Sequence, residues 1–144
     1  MKMAFIAVTV LLALIIGGLL FLSSQSKSGA AAGLIDGKLS PCPSSPNCVS
    51  SEAGTPDSHR VEPLPLAAWD RLPAVIAEMG GDIIVRDEIY IAAEFRTPLM
   101  KFVDDVEFRK DDTTVHMRSA SRVGHSDMGA NKKRVEQLRA ALGG

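Results

Sequence analysis

The residues able to do chemistry crowd into one stretch, Arg118-Ser119-Ala120-Ser121-Arg122-Val123-Gly124-His125-Ser126-Asp127-Met128-Gly129-Ala130-Asn131. Two guanidinium groups, three hydroxyls, one imidazole, one carboxylate and two glycines converge there, ahead of a helix start whose free amide groups attract anions. Arg118 and Arg122 can grip a carboxylate or phosphate through paired hydrogen bonds. Gly124 and Gly129 permit backbone angles that other residues resist. This pattern describes an anion-binding pocket made of Arg118, Ser119, Ser121, Arg122, Ser126, Asp127, Gly129 and Asn131. The plainer alternative is a hydrogen-bonded loop that only locks strand to helix, with Ser126 or Asp127 spent on capping that helix.

A second signal lies upstream. If Lys101 to Arg109 is a strand, alternation puts Phe102, Asp104, Val106 and Phe108 on one face. An ionised carboxylate among phenylalanines is costly to bury unless a cation or several donors meet it, so Asp104 demands a partner. Arg96, Arg118 and Arg122 are the candidates. Asp104 then reads as half of an internal salt bridge that fixes strand register, as a carboxylate used in catalysis or metal binding, or as a residue turned outward by a bulge. A hydrolase triad of His125, a serine and Asp127 or Asp104 has the right residue types. It lacks the Gly-x-Ser-x-Gly elbow, however, and sequence neighbours seldom face one another as a triad requires. His59, His116 and His125 are scattered without metal-ligand spacing, so neither metal nor cofactor is expected. Lys132-Lys133-Arg134 reads as a solvated helix face.

These residues need elements to position them. Leu66 to Met79 carries apolar residues at helical spacing, with Pro73 forcing a kink or a fresh start at Leu72, and Gly80-Gly81 ends it. Extended runs follow at Asp82 to Arg86, Tyr90 to Arg96, Lys101 to Arg109 and Thr113 to Arg118, joined by connections too short for parallel crossovers. Asn131 to Leu142 closes the chain as a helix with Val135, Leu138, Ala141 and Leu142 in one stripe. Val61 to Leu64 is a short extended piece. The expected fold is α+β: an antiparallel four-stranded meander with two helices, preceded by one N-terminal transmembrane helix.

That leading helix rests on 24 uncharged residues, Met3 to Ser26, bordered by Lys2 and Lys27. Ala4 to Leu22 is close to the roughly 20 residues needed to cross a bilayer. A cleaved secretory signal is the competing reading, with Ala30-Ala31-Ala32 as the cleavage site, although apolar cores of signals usually run only about 7 to 15 residues. Ser23 to Gly37 is rich in Ser, Gly and Ala and reads as a flexible tether, so residues 1–27 are anchor or signal, 28–38 a flexible linker, and 39–144 one exported domain. The domain is assigned to the extracytoplasmic side of the cytoplasmic membrane, with lipid as its first partner. The net charge of -1 divides unevenly: Asp36 to Asp112 holds fifteen acids against eight bases, whereas Arg118 onward holds six bases against two acids. A basic tail next to a membrane fits lipid or a small anion better than nucleic acid, which an exported domain rarely meets. Cys42 and Cys48, spaced closely in a Pro-rich loop, should form a disulfide outside the cytosol; free thiols and redox or metal chemistry are the alternatives.

Pro41-Cys42-Pro43, Ser45-Pro46-Asn47-Cys48-Val49-Ser50-Ser51, Phe102-Val103-Asp104-Asp105-Val106-Glu107-Phe108, and Arg118-Ser119-Ala120-Ser121-Arg122 with Gly124, Ser126-Asp127, Gly129 and Asn131 together resemble domain-of-unknown-function family 1499 (DUF1499). The resemblance covers nearly everything after Leu39. It implies a domain boundary and the location of a site, with no reaction, ligand or catalytic residue to carry over. In such a family an aromatic residue is expected where Met128 stands and an arginine near Lys132 or Lys133. The functional expectation is an envelope domain that binds an anionic ligand or lipid head group. A hydrolase using Asp104 or His125 with a serine of the 119–126 loop, and a structural or assembly protein of the envelope, are the alternatives.

Overall fold

The computed structural model describes residues 1–143. A long helix, α1 (Lys2–Ser28), leads into a short hairpin of β1 (Leu34–Ile35) and β2 (Lys38–Leu39), and then into the disulfide loop and β3 (Cys48–Ser50). β4 (Leu64–Pro65) precedes a 3-10 segment (Leu66–Arg71) and α2 (Leu72–Glu78). The fresh start at Leu72 is realised because Pro73 falls in the first turn, where a missing N–H costs nothing. β5 (Asp82–Arg86), β6 (Tyr90–Arg96), β7 (Val103–Lys110), β8 (Thr114–Ser121) and α3 (Ala130–Leu142) complete the chain.

The last four strands form the expected antiparallel meander, but the sheet has six strands rather than four, in the order β3-β8-β7-β6-β5 with β4 also on β8. β3 and β4 pair with different stretches of β8, at Cys48↔Ala120 and Leu64↔Val115. Without them the outer edge of β8 would present unpaired N–H and C=O groups. Strands of two or three residues are too short to leave a periodic trace in sequence.

One face of the sheet carries the apolar core. Ile91, Phe95, Val106, Phe108, Val115 and Met117 meet Leu72 and Ile76 of α2 and Val135, Leu138 and Leu142 of α3. Gly81 is fixed by this packing, since a Cβ there would stand 2.6 Å from the Phe95 ring. The opposite face is polar, yet Val103 to Phe108 is buried at every position.

The cover over that second face is the stretch 28–38, expected from composition to be a flexible linker. Instead, the hairpin folds back over the sheet, Leu39 packs with Tyr90 and Ala92, and Gly33 donates its N–H to Glu107 at 2.7 Å. Helix α1 joins in. Ser26 is fully buried; its Oγ accepts from the Val103 N–H at 2.7 Å and lies 3.2 Å from the Val103 carbonyl, while Ser23 Oγ donates to the Met100 carbonyl at 2.5 Å. The serines that suggested disorder are small enough to admit a close approach and polar enough to satisfy the first backbone groups of β7.

Candidate functional site

The register of β7 on β8 sets Asp104 opposite Ser121, Val106 opposite Ser119 and Glu107 opposite Arg118. Directly opposed residues point to the same side, so alternation divides the predicted site between the two faces of the sheet. Ser119, Ser121 and Asp104 face the helices. Arg118 and Arg122 face the strap formed by the end of α1 and the β1–β2 hairpin.

On the helix side, Asp104 is 4% exposed, and its cation is Arg134, whose Nη2 lies 2.7 Å from Oδ2. The same guanidinium donates to Asn131 Oδ1 at 2.7 Å and Ser119 Oγ at 3.2 Å and lies over the Phe95 ring at 5.0 Å. Asn131, fully buried, accepts from Ser119 Oγ at 2.6 Å and donates to the Asn47 carbonyl, Ser121 Oγ and Asp127 Oδ2. Asp127 receives the backbone N–H groups of Gly129 and Asn131. Its burial opposes ionisation, but these donors outweigh it and hold the carboxyl below its ordinary pKa. The free amides expected to attract an anion at the start of α3 therefore already have a carboxylate.

On the strap side, Arg122 makes paired bonds to Asp105 at 2.8 and 2.7 Å, reaches Glu94 at 2.6 Å, and donates to the Ser26 carbonyl at the end of α1 at 3.1 Å. The bonds to Asp105 outweigh the cost of burial and push the Arg122 pKa upward. Gly29 is needed here because a Cβ would come within 2.9 Å of the Arg122 stem. Glu107, with no exposure, accepts from Arg118 Nη1 at 2.9 Å and from the Tyr90 hydroxyl at 2.7 Å. Burial first, and that bond to a carboxylate second, drive the Tyr90 pKa far above its usual value. Glu52 takes a paired grip from Arg109 at 2.8 and 3.2 Å. Burial would raise the Glu52 pKa, but Arg109 and the Leu39 N–H lower it overall.

An external anion at Arg118 or Arg122 would thus compete with built-in carboxylates. His125, Ser126 and Gly124 lie exposed on the turn after β8, and Ser126 Oγ accepts from the Met128 N–H. Asp104 is not brought to His125 through any hydrogen bond among the described residues. The cysteines do meet, with an S–S distance of 2.02 Å and Cα atoms 5.6 Å apart. Among the described residues, no three His, Cys, Asp or Glu side chains gather as a metal cage would need.

Sequence alone puts Arg134 on a solvated basic face, whereas the structure sets it against Asp104. A signal was present: Asn131, Arg134, Val135 and Leu138 recur at three- and four-residue spacing along the buried stripe of α3.

A cavity of about 190 Å³ opens beside this network. Leu22 of α1, Phe102 and Val123 give it apolar walls, and Asp104, Ser121 and Asp127 supply oxygen atoms. Arg134 bonds only Oδ2 of Asp104, and Oδ1 has no hydrogen-bond partner among the described residues.

The family model for proteins of unknown function named DUF1499 matches residues 38–142. The chain belongs to the DUF1499 family. The match begins in β2 and ends at the last residue of α3, so the DUF1499 region takes in the whole sheet and both ion-pair layers but not α1. No curated protein and no solved structure matches the chain. Helix α1 lies outside the DUF1499 region and is long and apolar enough to cross a membrane.

Proposed function

We propose that this DUF1499 protein is a membrane-anchored domain on the extracytoplasmic side that binds a lipid head group at the foot of α1. The observation that carries the reading is the cavity between Leu22 and Asp104: one wall belongs to the apolar helix, and the far end holds an acid and a hydroxyl. A small pocket with apolar walls and a few convergent polar groups suits recognition of a compact ligand. Oxygen acceptors without a free cation select a donor. An ammonium or hydroxyl head group fits this end better than a bare phosphate, because Arg118, Arg122 and Arg134 are held by Glu107, Asp105 and Asp104. Lys101, Lys132 and Lys133 are exposed, and such bases near a membrane favour an anionic surface. The disulfide supports the extracytoplasmic assignment, since such bonds persist in oxidising compartments.

The test uses the full chain in nanodiscs of phosphatidylcholine, with and without phosphatidylethanolamine. The primary amine should raise the thermal midpoint relative to its trimethylated counterpart, and Val123→Trp, which fills the cavity, should abolish the difference. Equal midpoints for the unmodified protein in both lipids would defeat the head-group reading.

A further inference from the structure

Two loops meet α1 at the last residue of its apolar run. Leu22 shares the cavity wall with Thr97 and Phe102 from the β6–β7 loop and with Val123 and Gly124 from the β8–α3 loop, and Ser23 bonds Met100. Nineteen residues from Ala4 to Leu22 rise about 28 Å at roughly 1.5 Å each, close to the hydrocarbon thickness of about 30 Å. Whatever touches Leu22 therefore stands at the bilayer boundary. Each loop displays one large apolar side chain there, Leu99 at 89% exposure and Met128 at 98%.

A single exposed apolar residue is ordinary, but three further observations set this pair apart. Each loop has a non-glycine residue in the left-handed region, Lys101 at φ 56° and Met128 at φ 54°, a conformation that carries a strain cost. Each loop also pairs part of its own backbone. Lys101 N–H bonds the Thr97 carbonyl, Phe102 N–H bonds Thr97 Oγ1, and Met128 and Gly129 N–H groups bond Ser126 and Asp127. Each such internal bond lowers the cost of bringing the chain toward an apolar medium. Finally, Lys101 and Lys132 are exposed close by in sequence, with stems long enough to reach back to phosphates.

We propose that Leu99 and Met128 are membrane wedges: the β6–β7 and β8–α3 loops seat in the interfacial layer beside α1 and fix the domain against the bilayer. The inference rests on the anchor reading of α1 and is independent of what fills the cavity.

The test places an environment-sensitive NBD label on single cysteines introduced into the full chain, with Cys42–Cys48 left oxidised, in vesicles of phosphatidylethanolamine and phosphatidylglycerol. Leu99→Cys and Met128→Cys should give blue-shifted emission and lose intensity to nitroxides placed near the lipid head groups. Ile89→Cys, on the turn at the other end of β6, should report water. Ile15→Cys, within α1, should report hydrocarbon. If Ile15 reports hydrocarbon while positions 99 and 128 both report water, the wedges are refuted and the anchor stands. If Ile15 also reports water, both fall. A Leu99→Ser/Met128→Ser protein gives a second readout: it should fold with an unchanged thermal midpoint in detergent, yet expose the β6–β7 loop to added protease in vesicles. Unchanged protection would overturn the proposal.

Discussion

Arg134 shows how one side chain decides whether a buried acid is tolerable. It neutralises Asp104, braces Ser119 and Asn131, and covers the Phe95 ring. Arg134→Ala should destabilise the domain by about 3–5 kcal/mol, because an unpaired buried charge costs more than the pair contributes. Chemical denaturation measures this, and Asp104→Leu combined with Arg134→Met should recover most of the loss. The need for such a cation was legible in the alternation of Phe102, Asp104, Val106 and Phe108, but its identity was not. Arg96, Arg118 and Arg122 were the candidates; Arg96 pairs with Asp82 and Glu94, and register puts Arg118 and Arg122 on the other face, where Glu107 and Asp105 claim them. Acid should expose the same logic. Asp127 and Glu52 both have folded pKa values below their ordinary 3.8 and 4.5, so the unfolded chain binds the extra protons. Their contribution is complete above the unfolded values and disappears as pH falls through the folded ones. Thermal midpoints should drop as pH falls below the ordinary carboxylate range, and Asp127→Asn should flatten that drop while lowering stability at neutral pH.

At the scale of elements, the end of α1 acts as part of the domain. Ser26→Val would leave the buried Val103 N–H without its acceptor, which should cost about 1–3 kcal/mol. Ser24→Val is the matching control, since Ser24 is exposed, and it should leave the thermal midpoint unchanged. The meander and both terminal-side helices were readable because each is long enough for its apolar period to repeat. β3, β4 and the β1–β2 hairpin were not, because two or three residues carry no period and their conformation is imposed by the edge of β8 and the polar face they cover. The contacts that 28–38 makes with the sheet were hidden for a related reason. Serine, glycine and alanine are common in disordered chain, but they are equally the residues that let a helix lie against a strand.

For the whole molecule, the two faces of one sheet are stabilised differently. Apolar packing dominates the side under α2 and α3, joined by the Arg134–Asp104 pair, and ion pairs dominate the side under the strap, joined by the small Leu39, Tyr90 and Ala92 cluster. Both layers are fastened near the disulfide, because β3 follows it directly and Asn47 bonds Asn131 and Gly124. Reducing Cys42–Cys48 should lower stability by only about 2 kcal/mol, as expected for closing so small a ring, and a denaturation series with and without reductant checks this. Residue types alone single out the stretch from Arg118 to Asn131 as a candidate site. Its division between two faces required the register. With α1 in a membrane as proposed, its pinned junction would have a further consequence. A domain on a leash would sweep a hemisphere and capture partners from solution, whereas one seated on a post travels only as its lipids travel. Its encounters would then be two-dimensional, with molecules that share the same leaflet.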